Sequence, residues 1–127
     1  MSDPEFNTKE LTWDEIKAIV RKRDGNTCRL ARILSAKDFL ILQKNAKYLL
    51  TQLDPAHIIA RSKSKSLILN PDNVVMLNRF SHEMLDYCKD PITGKPITKE
   101  ERNNWWIKIV GIDTYTKLLE LSKNETP

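Results

Sequence analysis

The sequence predicts a single α+β domain in which helices flank a short pair of strands. Capping boxes, which open helices, stand near both ends of the chain, at Thr12 with Glu15 and at Thr98 with Glu101. Between them lie two short apolar runs separated by a basic loop and an Asn-Pro-Asp-Asn turn, a pattern typical of two connected strands. The 127 residues are enough for one modest core, so residues 7–127 are predicted to form one domain.

The helices are predicted from capping residues and from apolar side chains at helical spacing. The first helix begins at Thr12, carries Ile16 and Val20 on one apolar face, and ends with the basic residues 21–23 before an Asp-Gly-Asn stop. Ser35 is a second candidate N-cap. Further helices are predicted over residues 35–47, from Asn78 or Ser81 to about residue 87, over 99–110 before Gly111, and over 114–122 after an Asp113 cap.

Two strands are predicted in the middle of the chain. The first covers residues 48–53 and continues to His57, and the second covers residues 74–77, which are all apolar. A basic loop, residues 61–66, lies between them, and a turn precedes the second strand. The order strand, loop, strand, helix therefore occupies a core of about residues 48–88.

Composition and charge narrow the function classes. The formal net charge is +4 and the pI is about 9.1, which fits a polyanionic partner such as nucleic acid. No apolar run reaches the roughly 18–20 residues that span a bilayer, so no membrane partner is expected. No secretion signal opens the chain, and residues 1–6 are expected to be a cloning remnant or disordered. Cys28 and Cys88 are isolated, so we expect a reducing compartment, the cytoplasm, and no disulfide framework.

The two histidines of the chain, His57 and His82, enclose the turn asparagine Asn73. A histidine at a strand end, an asparagine after a basic loop and a histidine on the following helix resemble the motif of the HNH, or ββα-metal, nucleases. The resemblance implies that His57 is the general base, that Asn73 holds the loop between the strands, and that His82 binds a metal. It also implies a ββα-metal core with flanking helices and hydrolysis of phosphodiester bonds. A neutral imidazole is a suitable base near neutral pH, and a divalent cation stabilises the charge that develops on phosphate.

The predicted metal site departs from the family pattern at Ala56. Many family members carry Asp or His at this position, immediately before the base histidine, as a metal ligand. Asp86 lies four residues after His82 on the same helix face, and Asp54 lies three residues before His57. The predicted ligands of one divalent cation, Mg²⁺ or Mn²⁺ with Zn²⁺ also open, are therefore His82, Asp86 and Asp54. Two alternatives stay open: water replaces protein ligands, or His57 binds the metal and another group is the base.

A second departure concerns the zinc knuckle that many HNH proteins carry. Cys28 stands at the first ligand position, but the other positions fall at Ala31, Asn78 and Ser81, none of which is a thiol. A structural zinc site needs a closed set of ligands, so we predict no structural zinc and expect Cys28 to be a small core residue. The helix predicted over residues 35–47 is a candidate to fill the space of the knuckle.

Basic residues near the motif are candidates for contacts with DNA. Arg61, Lys63 and Lys65 lie in the loop between the strands, and Arg21 and Arg23 end the first helix. These side chains are predicted to contact phosphates, which gives recognition of the backbone or of DNA shape rather than of base edges. The alternative is that they occupy ordinary solvated positions.

A looser similarity covers roughly the latter half of the chain. The segment Ala-His-Ile-Ile-Ala-Arg-Ser from Ala56, with Asn-Val-Val from Asn73 and a helix ending at Gly111, resembles phage recombination nucleases of the Rap/NinG type. That similarity implies action on branched DNA in a bacterial or phage-infected cell. The sequence thus predicts a metal-dependent DNA endonuclease, with a non-catalytic DNA-binding module of the same fold as the alternative and a toxin-like nuclease as a third option. It leaves open the metal, the form of DNA and whether the protein is a homodimer.

Overall fold

A computed structural model of the protein describes residues 11–123, which form a mixed α+β fold. Three short 3₁₀ helices lie at Ala31–Ile33, Lys47–Thr51 and Pro71–Asn73. Among the described residues, no helix combines the length and the apolar character needed to cross a bilayer. The main elements, in chain order, are α1 (Trp13–Arg23), α2 (Ala36–Ala46), β1 (Leu53–His57), β2 (Val74–Asn78), α3 (Arg79–Asp86), α4 (Lys99–Val110) and α5 (Ile112–Lys123).

Strand β2 is the centre of the fold. It pairs antiparallel with β1, in a register that sets Leu53 opposite Asn78 and His57 opposite Val74. All five residues of β2 are buried because helices cover both faces of the strand. Val74 and Met76 pack against α1, whereas the alternate residues face α3, α4 and α5 in the largest apolar cluster.

Helix α2 belongs to a third apolar cluster beside the sheet. Leu42 and Ala46 pack with Ile92, from the loop after α3, and Phe80 and Trp105 contact the same cluster. The Asn45 side-chain amide also donates a hydrogen bond of 2.8 Å to the Ile92 carbonyl. Helix α2 therefore holds the loop that connects α3 with α4.

Several sequence predictions are confirmed by the structure. Thr12 and Thr98 open α1 and α4 with complete capping boxes, and Ser35 and Asn78 are the N-caps of α2 and α3. Gly111 ends α4 with a positive φ of 92°, a conformation that glycine adopts without strain. Local sequence chemistry therefore determines where these four helices begin and where α4 ends.

Two boundaries differ from the predictions, each for a structural reason. The predicted first strand begins too early, because Lys47–Thr51 is a 3₁₀ helix and β1 starts only at Leu53. Leu53 already faces Asn78, the last residue of β2, so residues before it have no strand to pair with. The last helix begins at Ile112, before the predicted Asp113 cap, because the chain reverses at Gly111 and the Gly111 carbonyl already accepts a hydrogen bond from Tyr115.

Three of the four knuckle positions named above meet in the structure. The buried Cys28 sulfur accepts hydrogen bonds from the backbone N–H of Asn78 at 3.2 Å and from its side-chain amide at 3.4 Å. The same amide donates to the Ser81 hydroxyl at 2.9 Å, and that hydroxyl donates to the Pro91 carbonyl at 2.8 Å. Hydrogen bonds thus connect these segments, and α2, the candidate from the sequence, packs in a separate cluster.

A buried carboxylate fastens the end of α1 to β2. Asp24 accepts hydrogen bonds from Arg23, from Arg29 and from the backbone N–H of Met76. Burial alone raises the pKa of the Asp24 carboxyl, but hydrogen bonds from Arg23, Met76 and Arg29 outweigh burial and hold the pKa below its ordinary value. The carboxylate is therefore ionised and fully satisfied in the folded protein.

We predict that Asp24→Asn lowers the free energy of unfolding by about 2–4 kcal/mol, because it removes the negative charge that pairs with Arg23 and Arg29 and replaces one acceptor oxygen by an NH2 group that faces N–H donors. Urea denaturation at pH 7 measures the change, and Glu120→Gln, on the exposed face of α5, is the control with the same charge change. Since the folded-state pKa of Asp24 is lowered, its contribution is complete above pH 3.8 and is lost only as pH falls below that value. Equal stabilities of wild type and Asp24→Asn at pH 7 would contradict this account.

Candidate functional site

One open cleft of about 750 Å³ contains both histidines of the chain. Its walls come from the end of β1 and the loop that follows, and from α3, α4 and α5. Polar and charged side chains in these walls include His57, Arg61, Lys63, His82, Asp86 and Arg102. Among the predicted site residues, the fold therefore gathers those from β1, from the basic loop and from α3 into one space.

The imidazole of His57 is fixed by a hydrogen bond and by a ring contact. Its Nε2 lies 2.9 Å from the Ile68 carbonyl oxygen, and since a carbonyl only accepts, Nε2 carries the proton. The Trp13 ring stacks on the imidazole, with 5.2 Å between centroids and 15° between planes. The other nitrogen, Nδ1, has no protein partner among residues 11–123, so its lone pair is available.

The electrostatic surroundings favour the neutral form of His57. Burial is the largest influence and lowers the pKa of His57 below 6.5. The charges of Arg61 and His82 act in the same direction, while the bond to Ile68 and the charge of Asp86 oppose it. His57 is therefore a neutral imidazole near pH 7, with one nitrogen protonated and the other able to accept a proton.

Asn73 locks the loop that follows His57. The buried Asn73 side-chain oxygen accepts a hydrogen bond of 2.7 Å from the Ile59 N–H, and its amide nitrogen donates to the Ile59 and Leu67 carbonyls at 3.1 Å each. The Asn73 carbonyl also accepts from the Ile58 N–H at 2.9 Å. The two ends of the connection between β1 and β2 are thereby joined directly beside His57, as the family resemblance implies for this residue.

His82 lies between two carboxylates. Its Nδ1 is 3.2 Å from Asp54, and its Nε2 is 3.3 Å from Asp86, one turn later on α3. Two nitrogens of Arg79, Nε and Nη2, also donate hydrogen bonds to the Asp54 carboxylate, at 3.0–3.3 Å. Burial alone raises the pKa of Asp54, but the bonds from Arg79 and His82 outweigh it and lower the pKa, so the carboxylate is ionised. The His82 ring is thus held in one orientation.

The pair formed by His82 Nε2 and Asp86 fits one divalent cation. Two ligands bound at about 2.1 Å and at right angles lie about 3 Å apart, close to the 3.3 Å between these two atoms. A metal-bound histidine commonly donates its other N–H to a carboxylate, as His82 Nδ1 is placed to do toward Asp54. Within the part of the chain that the structure describes, no group of three or more Asp, Glu, His or Cys side chains is arranged around one metal position.

The geometry separates Asp54 from the other two predicted ligands. Asp54 contacts Nδ1, whereas Asp86 contacts Nε2, and the two ring nitrogens point away from each other. His82 and Asp86 line the cleft, and Asp54 does not. With this orientation of the ring, a cation bound at Nε2 would be out of reach of Asp54, which contacts the opposite nitrogen of His82.

The predicted DNA-contacting residues fall into different groups. Arg61 and Lys63 line the cleft, while Lys65 and Arg21 are exposed outside its walls. Arg23 differs from the others, because its guanidinium makes four hydrogen bonds within the fold, two to Asp24 and one each to the Pro71 and Val74 carbonyls. An arginine engaged in this way supports the fold and has little capacity left for a phosphate.

Three residues that line or support the site were not predicted from the sequence. Trp13, the first residue of α1, stacks on His57, and Arg79 holds Asp54. Arg102 of α4 adds a third cation to the cleft, and its position one turn before Trp106 places both on one helix face. Each contact joins segments far apart in the chain, so spacing within one segment does not reveal it.

Comparisons with protein-family models, with curated protein sequences and with solved structures find no match to this chain. The geometry of the cleft is therefore the basis for the proposals that follow.

We predict that the imidazole of His57 titrates below pH 6.5, because burial favours its neutral form. Trp13→Ala removes the stacked ring, exposes the imidazole to water, and is expected to move the midpoint up toward 6.5. Titration of the ring protons by NMR measures both values, with His57→Gln used to assign the two histidine signals. A wild-type midpoint at or above 6.5 would contradict the effect of burial.

Proposed function

We propose that this protein is a metal-dependent DNA endonuclease that hydrolyses phosphodiester bonds. The observation that carries the proposal is the content of one cleft. A fixed, neutral imidazole with a free Nδ1 shares that space with a His–Asp pair suited to a divalent cation and with three cationic side chains. General base, cation site and phosphate-binding groups are the components that phosphodiester hydrolysis requires.

His57 is the group that removes a proton from the attacking water. The bond from Nε2 to Ile68 and the stacked Trp13 hold the ring, so Nδ1 is presented without reorganisation. Its lowered pKa keeps the imidazole unprotonated near neutral pH. Asn73 maintains this arrangement by fixing the backbone after His57.

His82 Nε2 and Asp86 would hold the cation, with Mg²⁺ or Mn²⁺ as the ions that accept few protein ligands and several waters. A divalent cation there supplies positive charge that stabilises the phosphate and the leaving oxygen. Asp54, itself held by Arg79, receives the Nδ1 proton of His82 and so directs Nε2 toward Asp86. In this assignment Asp54 positions a ligand and does not itself contact the ion.

The proposed substrate is DNA, held mainly through its phosphates. Arg61, Lys63 and Arg102 bring positive charge to the cleft, and the chain carries a net charge of +4. Phosphate contacts of this kind fix the position of a nucleic acid without reading its sequence. The preference for DNA over RNA follows the resemblance of His57, Asn73 and His82 to the HNH motif.

A non-catalytic DNA-binding module is the second candidate. The observation in its favour is that only two side chains, His82 and Asp86, are arranged for a cation in the described part of the chain. A protein of this kind would bind DNA through the same cationic side chains and would not cleave it. Cleavage assays therefore discriminate between the two candidates directly.

We predict that the wild type nicks supercoiled plasmid in Mg²⁺ or Mn²⁺, and that His57→Ala lowers the rate by about 10²–10⁴-fold, the usual contribution of general-base catalysis. The rate in the wild type is expected to fall on the acid side with a midpoint below pH 6.5, as His57 becomes protonated. Lys117→Ala, an exposed change on α5, is the control. Binding of plasmid without cleavage in either metal would reject the nuclease and favour the binding module.

We predict that cation affinity, measured by Mn²⁺ titration with electron paramagnetic resonance, falls most in His82→Ala and Asp86→Ala, which lose a ligand. Asp54→Ala is expected to weaken Mn²⁺ binding by about 10–100-fold, the usual effect of removing the partner of a ligand histidine. Asp113→Ala, on the exposed first turn of α5, is the matched control. Unchanged Mn²⁺ affinity in both His82→Ala and Asp86→Ala would show that the ion binds elsewhere.

A further inference from the structure

Helices α4 and α5 form a wall of the cleft from which the proposed chemistry uses only the charge of Arg102. Arg102 and Trp106 lie one turn apart on α4, and Tyr115 and Leu119 lie one turn apart on α5. Burial raises the pKa of the Tyr115 hydroxyl, and the positive charge of Arg102 opposes that shift. We call these four residues the helical wall of the cleft.

Two buried polar side chains in the helical wall have no protein partner. Trp106 is 4% exposed and Tyr115 is 6% exposed, yet neither the indole N–H nor the hydroxyl makes a hydrogen bond within residues 11–123. Over the same residues, no fully buried side-chain nitrogen or oxygen lacks a partner. Both polar atoms therefore keep some accessible surface, and because both residues line the cleft, a ligand bound there can satisfy them.

The cleft beside these two atoms is lined by apolar side chains together with a few polar ones, among them Asn103 and Ser122. Ile58 and Ile59, from the segment after His57, and Leu85 of α3 line the same cleft as the helical wall. A space with apolar sides and a few hydrogen-bonding groups suits a flat, heteroaromatic molecule with a polar edge. The cleft volume of about 750 Å³ lies within the range of ordinary small-ligand pockets.

We propose that the helical wall receives an unpaired nucleobase of the strand that is cut, so that the enzyme prefers DNA with an unpaired nucleotide beside the scissile phosphate. This inference depends on the proposed nuclease function, since it places the base in the cleft that contains His57. In continuous duplex the base is stacked and paired, and its extraction has a free-energy cost that an unpaired base avoids.

The hydrogen-bonding groups of the helical wall also predict which bases fit. The Trp106 indole and the Arg102 guanidinium only donate, whereas the Tyr115 hydroxyl donates or accepts. Base edges with carbonyl oxygens, as in thymine, cytosine and guanine, complement such donors. Adenine has no carbonyl oxygen and is expected to bind less well.

The test compares two duplexes of one sequence, one continuous and one with a single unpaired thymine. Binding is measured in EDTA by fluorescence anisotropy, and cleavage in Mg²⁺ and in Mn²⁺. The wild type is expected to bind and cut the bulged duplex at least about tenfold better than the continuous duplex. Tyr115→Phe, which removes only the hydroxyl, is expected to reduce that preference about fivefold, the typical effect of one lost hydrogen bond. Tyr48→Phe, at an exposed tyrosine, is the control and is expected to keep the full preference for the bulged duplex.

A third duplex, with an abasic residue at the bulge, separates capture of the base from flexibility of the DNA. The preference is expected to disappear with this duplex, and equal cleavage of the abasic and thymine bulges would overturn the inference. Equal binding and cleavage of the continuous and bulged duplexes would also overturn it, while leaving the nuclease proposal intact. If no duplex is cut in either metal, the nuclease proposal fails and the inference fails with it.

Discussion

The buried amide of Asn73 is the constraint on which the site depends most. The connection between β1 and β2 runs over residues 58–73 and carries Arg61 and Lys63, and a connection of this length has many conformations when it is free. Hydrogen bonds from Asn73 to Ile59 and Leu67 close it into a defined shape. The Ile68 carbonyl, which holds His57, lies next to Leu67 and is positioned by the same bonds. One side chain thus fixes both the imidazole of His57 and the cationic loop.

Two further polar clusters hold the segment after α1 against β2. Asp24 reaches the Met76 backbone, and Cys28 accepts two hydrogen bonds from Asn78. These contacts place the middle and the end of β2 in fixed relation to α1. Because Asn78 is also the N-cap of α3, the Cys28 cluster sets where that helix begins and therefore where His82 lies. Hydrogen bonds here connect chain segments that a metal connects in proteins with a complete knuckle.

Local signals in the sequence were sufficient for some features and insufficient for others. Thr12, Thr98 and Asn78 act on residues within one helical turn, so their roles can be predicted from spacing alone. Arg23 has partners some 48 and 51 residues away, and no pattern in its own segment indicates them. The start of β1 likewise depends on where its partner strand ends. The predicted start of β1 was therefore wrong because a long-range contact, rather than local propensity, decides it.

The substitution at Ala56 changes how the proposed cation site is built. Ala56 and Asp54 lie on the same face of β1, about 7 Å apart along the strand. Ala56 is buried in the apolar core, while Asp54 reaches the far nitrogen of His82. In the proposed site, the strand carboxylate would act on the ligand His82 and not on the ion. With two protein ligands, more of the coordination shell would fall to water and to the phosphate of the proposed substrate. A cation held in this way would bind more tightly with DNA in the cleft, and its occupancy would then be coupled to the presence of substrate.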